Sequence, residues 1–275
     1  MDIAIVYMVA GLSSRFEGKI KQFAKVGPKG ETMIEYSLNQ ALPAGFTKII
    51  FIVGNKTEKP FKEMFGRSYN GIPVFYSLQR FNEEEREKPW GTVDALCSAK
   101  DTINCPFVVC NGDDIYGEET FRILVNHLKN KITGATIGYK LKNVLPGEGK
   151  VNRGIFKFNP DNTVKSLTEI FEITKKNLEE KGLSQENLCS MNIFALQPEI
   201  VKKLDLILKK FKEEHKRDKK IECLLPDEIG NLIKQKELTI YLYSTNSRWF
   251  GITNPQDEEK VREELKNIKL IKNKK

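Results

Sequence analysis

Apolar residues fall along this chain in short runs separated by polar loops, and the period of each run predicts an element. Ile3 to Val9, Lys48 to Val53 and Phe107 to Cys110 are near-continuous apolar runs, long enough for buried strands and too short for helices. Ile72 to Leu78 alternates in the manner of a further strand. Between them, Thr32 to Ala41 carries Met33, Ile34, Leu38 and Ala41 at helical spacing. Glu58 to Phe65 (broken by Gly66), Thr92 to Ala99 and Glu119 to Leu128 also read as helices. Strands alternating with helices imply right-handed crossovers and a mostly parallel sheet covered on both faces, with ligands beyond the carboxyl ends of the strands. The loops after Val9, Leu78 and Cys110 are therefore expected to converge on one cleft.

The second half reads as more antiparallel. Strands are expected at Ala135 to Lys140, Gly154 to Asn159, Val164 to Leu167, Ser190 to Leu196 and Leu238 to Ser244, with a turn at Pro160 to Asn162. Helices are expected at Pro198 to Phe211, Asp227 to Gln235 and Gln256 to Ile268. The highly charged stretch Glu172 to Glu186 is expected to cross the surface as a helical excursion. With no internal repeat and no low-complexity linker, the whole of 1–275 is expected to form one α/β domain with a smaller antiparallel lobe.

Composition narrows the class. Of 275 residues, 40% are hydrophobic and 30% charged, the profile of a globular protein with a substantial core. No run of eighteen apolar residues is present, and the start lacks the features of a signal peptide, so neither a membrane nor export is expected. Cys97, Cys105, Cys110, Cys189 and Cys223 form an odd, scattered set with no CxxC pair, which points to a reducing cytoplasm rather than disulfides or zinc. The net charge of +8 is concentrated in KKFKEEHKRDKK (Lys209 to Lys220) and the tail from Lys266. The first mixes signs and the second lacks aromatics for base stacking. Solvated surface is expected, not a nucleic-acid partner, with some attraction for anionic substrates.

Three segments carry candidate chemistry. The loop AGLSSRFEGKIKQFAKVGPKGE follows the first strand; Gly11 and its small neighbours let backbone N–H groups approach phosphate oxygens, and Arg15, Lys19, Lys21 and Lys25 add positive charge. It matches neither GxxxxGK[ST] nor GxGxxG. Asn111-Gly-Asp-Asp114 follows PFVVC; acidic side chains at a strand's carboxyl end can hold a hard cation such as Mg2+, with phosphates and water completing its shell. Gln79 follows the third long strand, where an amide can read a base edge, and KPWGTVDA opens a helix whose N-terminus favours an anion. His127 and His215 lie beside no suitable nucleophile, which argues against a serine or cysteine triad.

Together MVAGLSSRF, KQFAKVGPKGETMIEYS, REKPWGTVDAL, VVCNGDDIYG, VNRGIFKF, CSMNIFAL and RWFGITNPQDEE resemble the sugar-nucleotide pyrophosphorylase-type nucleotidyltransferases, in particular a bacterial branch of predicted sugar nucleotidyltransferases. The resemblance spans nearly the whole chain and implies a Rossmann-like, mostly parallel central sheet flanked by helices. It further implies a nucleotide-binding part over 1–140 and an acceptor-binding part with a C-terminal helix over 141–275. Ala10, Gly11, Leu12 and Ser13 would belong to the triphosphate loop, with Arg15 and Lys21 as catalytic cations. Gln79, Gly91 and Thr92 would meet the nucleotide, Asp113 would bind Mg2+, and Gly154, Glu169 and Asn192 would line the acceptor pocket. Relatives carry a second acidic or amide ligand near Trp249 to Asp257. Here Gly251 and Thr253 stand at the two positions considered, so the ion would rely on Asp113, Asp114, Thr253 or water.

The implied reaction is in-line attack by an acceptor phosphate on the α-phosphorus of a nucleoside triphosphate, with a sugar 1-phosphate as acceptor and pyrophosphate leaving. Alternatives are a cytidylyltransferase acting on an alcohol phosphate or phosphonate, a nucleotide-sugar-dependent glycosyltransferase, and a non-catalytic nucleotide-binding protein. Base, acceptor, metal count and oligomeric state are not indicated by the sequence.

Overall fold

The computed structural model describes residues 1–11, 20–147, 149–252 and 257–272, with side chains as far as Ile268. Its first half supplies β1 (Ala4–Met8), β2 (Lys48–Val53), the short β3 (Ser68–Tyr69), β4 (Ile72–Leu78) and β5 (Phe107–Asn111). Strands β5, β1, β2 and β4 lie side by side in that order and all parallel, joined by crossovers through α1 (Met33–Ala41), α2 (Glu58–Phe65) and α3 (Thr92–Ser98).

The continuous apolar runs are explained by burial on both faces. Ile3, Ile5, Tyr7 and Val9 point to the side covered by α1, α2 and α4 (Glu118–Asn130), while Ala4 and Val6 point to the side covered by α3 and two later helices. On the first face Phe51 packs its ring 4.9 Å from Phe65 and 5.1 Å from Phe61, centroid to centroid. Helix α1 starts where its chemistry says it should: Thr32 Oγ1 accepts from Glu35 N–H while the Glu35 carboxylate accepts from Thr32 N–H, a capping box.

The same sheet continues into the second half through β7 (Gly134–Lys140), β8 (Val151–Phe158), β9 (Val164–Ile173), β10 (Leu188–Leu196) and β11 (Ile240–Ser244). Strand β10 is antiparallel to β5, β7 and β8, and β8 to β9, but β11 joins β7 in parallel. In the second half of the sheet the antiparallel character is thus confined to β10 and the β8–β9 hairpin. Helices α6 (Glu199–Glu214) and α7 (Leu225–Lys234) close the second face, after the one-turn α5 (Leu141–Val144). A two-stranded ribbon pairs β6 (Asp114–Ile115) with β12 (Phe250–Gly251), and α8 spans Asp257–Lys272.

One expectation fails. Residues 172–186 form no helix; β9 runs on to Ile173, and turns follow. Asn177 Oδ1 accepts from Thr174 N–H, and Thr174 Oγ1 accepts from the N–H groups of Lys176 and Asn177. Side chains of this kind offer the backbone partners that compete with a helical ladder. No helix among the described residues is long and apolar enough to cross a membrane.

Candidate active site

A cavity of about 650 Å³ opens at the carboxyl ends of β1 and β5. Gly11 and Lys21 reach it from the loop after β1, Asp113 and Asp114 from the loop after β5. Lys21 and Asp113 form an ion pair there, with side chains 19% and 24% exposed, so both are held yet reachable from the cavity. Gly11 is exposed, and a Cβ added to it would meet nothing within 4 Å, which leaves its backbone open to an approaching group. Ala10 is not among the lining residues. Leu12, Ser13, Arg15 and Thr253 lie outside the described residues.

Asp114 faces inward. Its Oδ2 accepts from Asn111 Nδ2 at 3.0 Å and lies 3.1 Å from the Tyr116 hydroxyl. Burial, with the Asp113 charge added, pushes its carboxyl up to about 7. Gly251 pairs with Asp114 across the β6–β12 ribbon, and a Cβ there would lie 2.5 Å from the Trp249 ring and 2.9 Å from Asp114 Oδ1. The absence of a carboxylate at 251 therefore has a steric basis: Asp114 and Trp249 fill that space. Among the described residues no group of three His, Cys, Asp or Glu could enclose a metal ion. At the β5 end, Asp113 with its buried neighbour Asp114 suits a magnesium ion shared with substrate phosphates, not an all-protein cage.

The far wall comes from the second half. Gly154 on β8, Glu169 on β9, and Ser190, Met191 and Asn192 on β10 line the same cavity. Strand β10 bulges here: Ser190 faces Gly138 while Phe194 faces Thr136, and Asn192 has a positive φ of 55°. The carbonyls the bulge frees are not left bare, since Thr136 Oγ1 donates to Ile193 O at 2.7 Å and the Tyr116 hydroxyl to Met191 O at 2.9 Å. Burial, and then the charge of Asp227, raises the Glu169 pKa, with Arg153 opposing.

The loop after β4 departs from the expected convergence. Gln79, Gly91 and Thr92 are not among the residues lining this cavity. Gln79 is buried, and its Nε2 donates to Gly91 O at 3.1 Å and to Asp94 Oδ2 at 2.8 Å. Asp94 is held in turn by Lys212 at 2.5 Å. Thr92 Oγ1 accepts from Leu225 N–H, and a Cβ on Gly91 (φ +97°) would lie 2.5 Å from Cys223 O. The segment before α7 thus packs onto these residues, a long-range contact with no local sequence signal. Conversely, Gln22, Asn111, Arg153 and Trp249 line the cavity without having been singled out for it. An arginine directly beside Gly154 on β8 was the available clue.

A sequence model of the nucleotidyl transferase family matches residues 16–267. The chain belongs to that family. Solved structures agree with this nucleotidyl transferase in fold. An inositol-1-phosphate CTP transferase from T. maritima is 14% identical, with 98% of this chain and 96% of that one covered and a TM-score of 0.68. A CTP:phosphocholine cytidylyltransferase from Streptococcus pneumoniae is 15% identical over 96% and 100% of the two chains, with a TM-score of 0.67. A UDP-glucose pyrophosphorylase from Acinetobacter baumanii is 15% identical over 95% and 92%, with a TM-score of 0.66. No curated protein sequence matches the chain.

Proposed function

We propose that this nucleotidyl transferase moves a nucleoside monophosphate from a nucleoside triphosphate to a phosphorylated small acceptor, a sugar 1-phosphate, and releases pyrophosphate. The observation that carries the reading is the Lys21–Asp113 pair beside one cavity, reached from two different strand ends. Family membership and structural neighbours that act on sugar, cyclitol and choline phosphates support the reaction class.

In this reading Lys21 neutralises triphosphate oxygens and stabilises the charge that builds on the leaving pyrophosphate. The exposed Gly11 backbone lies close enough to the same cavity to donate to phosphate, and Arg15 adds a second cation. Asp113 would hold magnesium, which when bound would supply positive charge to offset that of the phosphates. Asp114, anchored by Asn111 and Tyr116, fixes the turn that presents Asp113. Gly154, Glu169 and Asn192 position the acceptor so that its phosphate oxygen stands in line with the α-phosphorus, the geometric contribution on which phosphoryl transfer chiefly depends.

The test is pyrophosphate release from the four common nucleoside triphosphates, each offered with a panel of acceptor phosphates and Mg2+. Turnover in one pairing is expected. Silence in every pairing by a folded protein that still binds triphosphate would sink the transferase reading.

A further inference from the structure

Among the described residues, one cation of the cavity has no counter-ion. Arg153 on β8 donates from Nη1 to Asn152 O at 3.0 Å and from Nη2 to Val144 O at 3.2 Å, while its buried Nε–H finds no acceptor among the described residues. Among the described residues no carboxylate forms an ion pair with it. Glu169 and Asp114 act on it only at longer range, and burial pulls its pKa below the ordinary value. A guanidinium does not escape by losing its proton, so a half-buried one retains its charge and the cost of burying it. The guanidinium lies 5.6 Å from the centroid of the Trp249 ring, whose own buried Nε1–H likewise has no partner among the described residues. Gln22 Oε1 is the third such atom, and all three of these residues line this one cavity. Buried polar groups in native proteins are paired, so three exceptions around one hollow mark where a ligand's polar atoms belong.

We propose that Arg153, backed by Trp249, is the specificity residue of the acceptor subsite: it receives the acceptor's phosphate and bars acceptors that carry a quaternary ammonium. This rests on the nucleotidyl-transfer reading above. A phosphate supplies the missing counter-charge and an acceptor for Nε–H. A trimethylammonium group, which offers no hydrogen-bond donor, is held best on an open aromatic face. Trp249 is the one aromatic residue among the described lining residues, and that ring already carries a cation. Asn152, Asn192, Ser190 and Glu169 instead offer donors and acceptors suited to hydroxyl groups. The subsite therefore selects polyhydroxylated acceptors, sugar or cyclitol phosphates, over amino-alcohol phosphates.

The experiment compares glucose 1-phosphate, inositol 1-phosphate and choline phosphate as acceptors for wild type, Arg153→Lys and Arg153→Gln, by pyrophosphate release. The wild type is expected to use a polyol phosphate and to ignore choline phosphate. Arg153→Gln should raise acceptor KM about 10- to 100-fold with the triphosphate KM unchanged, and Arg153→Lys should recover part of that loss. Because Arg153 also bonds two backbone carbonyls, thermal melting accompanies each variant. If Arg153→Gln is poorly folded, Arg153→Lys alone decides: its acceptor KM must shift while its triphosphate KM holds. Turnover of choline phosphate by the wild type would overturn the proposal and leave nucleotidyl transfer standing. An unchanged acceptor KM, or equal rises for both substrates, would overturn it as well. Should every pairing be silent, the transferase reading fails instead, and calorimetric titration with glucose 1-phosphate still judges Arg153 by whether its removal weakens binding.

Discussion

Lys21→Met separates a catalytic lysine from a merely structural one. The substitution keeps most of the aliphatic stem and removes the charge that pairs with Asp113. With the two side chains 19% and 24% exposed, the pair is neither a free surface bridge nor a sealed one, and Asp113 can rehydrate from the cavity when its partner goes. Loss of such a bridge costs about 1 kcal/mol, which for a chain of this size lowers the melting temperature by about 2–4 °C. A donor placed where charge develops in the transition state contributes about 2.7–4 kcal/mol, or about 10²- to 10³-fold in kcat. Turnover should thus fall far more than stability. Pyrophosphate release measures the first and thermal or urea unfolding the second. The double variant Lys21→Met, Asp113→Asn sharpens the comparison. If the lysine served only as counter-ion, removing both charges would restore turnover by leaving no unpaired carboxylate. If each acts on the substrate, the double variant stays at least as slow as the worse single one. Recovery in the double variant, or a single variant as active as wild type, would refute the assigned role.

Chelating divalent ions should abolish turnover and Mg2+ restore it, and Asp113→Ala should weaken Mn2+ binding, read by electron paramagnetic resonance, more than about tenfold; activity indifferent to chelation would count against a shared metal. Two glycines should behave in opposite ways. Gly91→Ala, forced to φ +97° and onto Cys223 O, is expected to cost more than about 2 kcal/mol, whereas Gly11→Ala should hold stability within about 0.5 kcal/mol while slowing turnover. Equal melting temperatures for the two would contradict the packing described here. The Thr245 hydroxyl at 2.8 Å and then the Asn246 N–H at 2.9 Å hold the Glu119 carboxyl below its ordinary 4.5. A depressed folded-state pKa gives stabilisation that is complete above the unfolded value and lost as pH falls through the folded one. Melting of the wild type should therefore drop more steeply below about pH 4.5 than that of Glu119→Gln, and parallel curves would remove Glu119 from the account.

The parallel half was legible because its strands are buried on two faces. Ile3 to Val9 and Ile49 to Val53 carry no charged position to confuse a strand with a loop, and Asp113 and Lys21 follow such runs closely enough to be placed at one sheet edge. The edge strand β9 was read too short because only one neighbour pairs with it. Its polar positions, Lys165, Thr168, Glu169 and Glu172 among them, are exposed and break the apolar pattern before Ile173 returns to the core. The loop holding Gln79 and Gly91 was placed on the correct edge by sequence, but its cover by Cys223 and Leu225 joins residues from opposite halves of the chain.

Gly154, Glu169 and Asn192 on the far wall were named from the resemblance, but their neighbours Ser190 and Met191 were not, because their placement depends on register. In a strand, a one-residue shift exchanges the faces, and β10 changes register between Ser190 and Phe194. No reading by strict alternation can place both Ser190 and Asn192, together with the Met191 between them, beside one cavity. The bulge does so, and it persists because Thr136 and Tyr116 satisfy the carbonyls it releases. Tyr116 also reaches Asp114, so one hydroxyl links the turn that presents Asp113 to the strand that lines the far wall of the cavity. Removing it in Tyr116→Phe leaves Met191 O without that donor and frees one bond of Asp114, a loss of about 1–3 kcal/mol in stability. If the coupling is as drawn, the same variant raises acceptor KM although Tyr116 lines no part of the cavity. An acceptor KM that stays fixed while stability falls would mean the bulge is held by the rest of the sheet and Tyr116 serves the core alone.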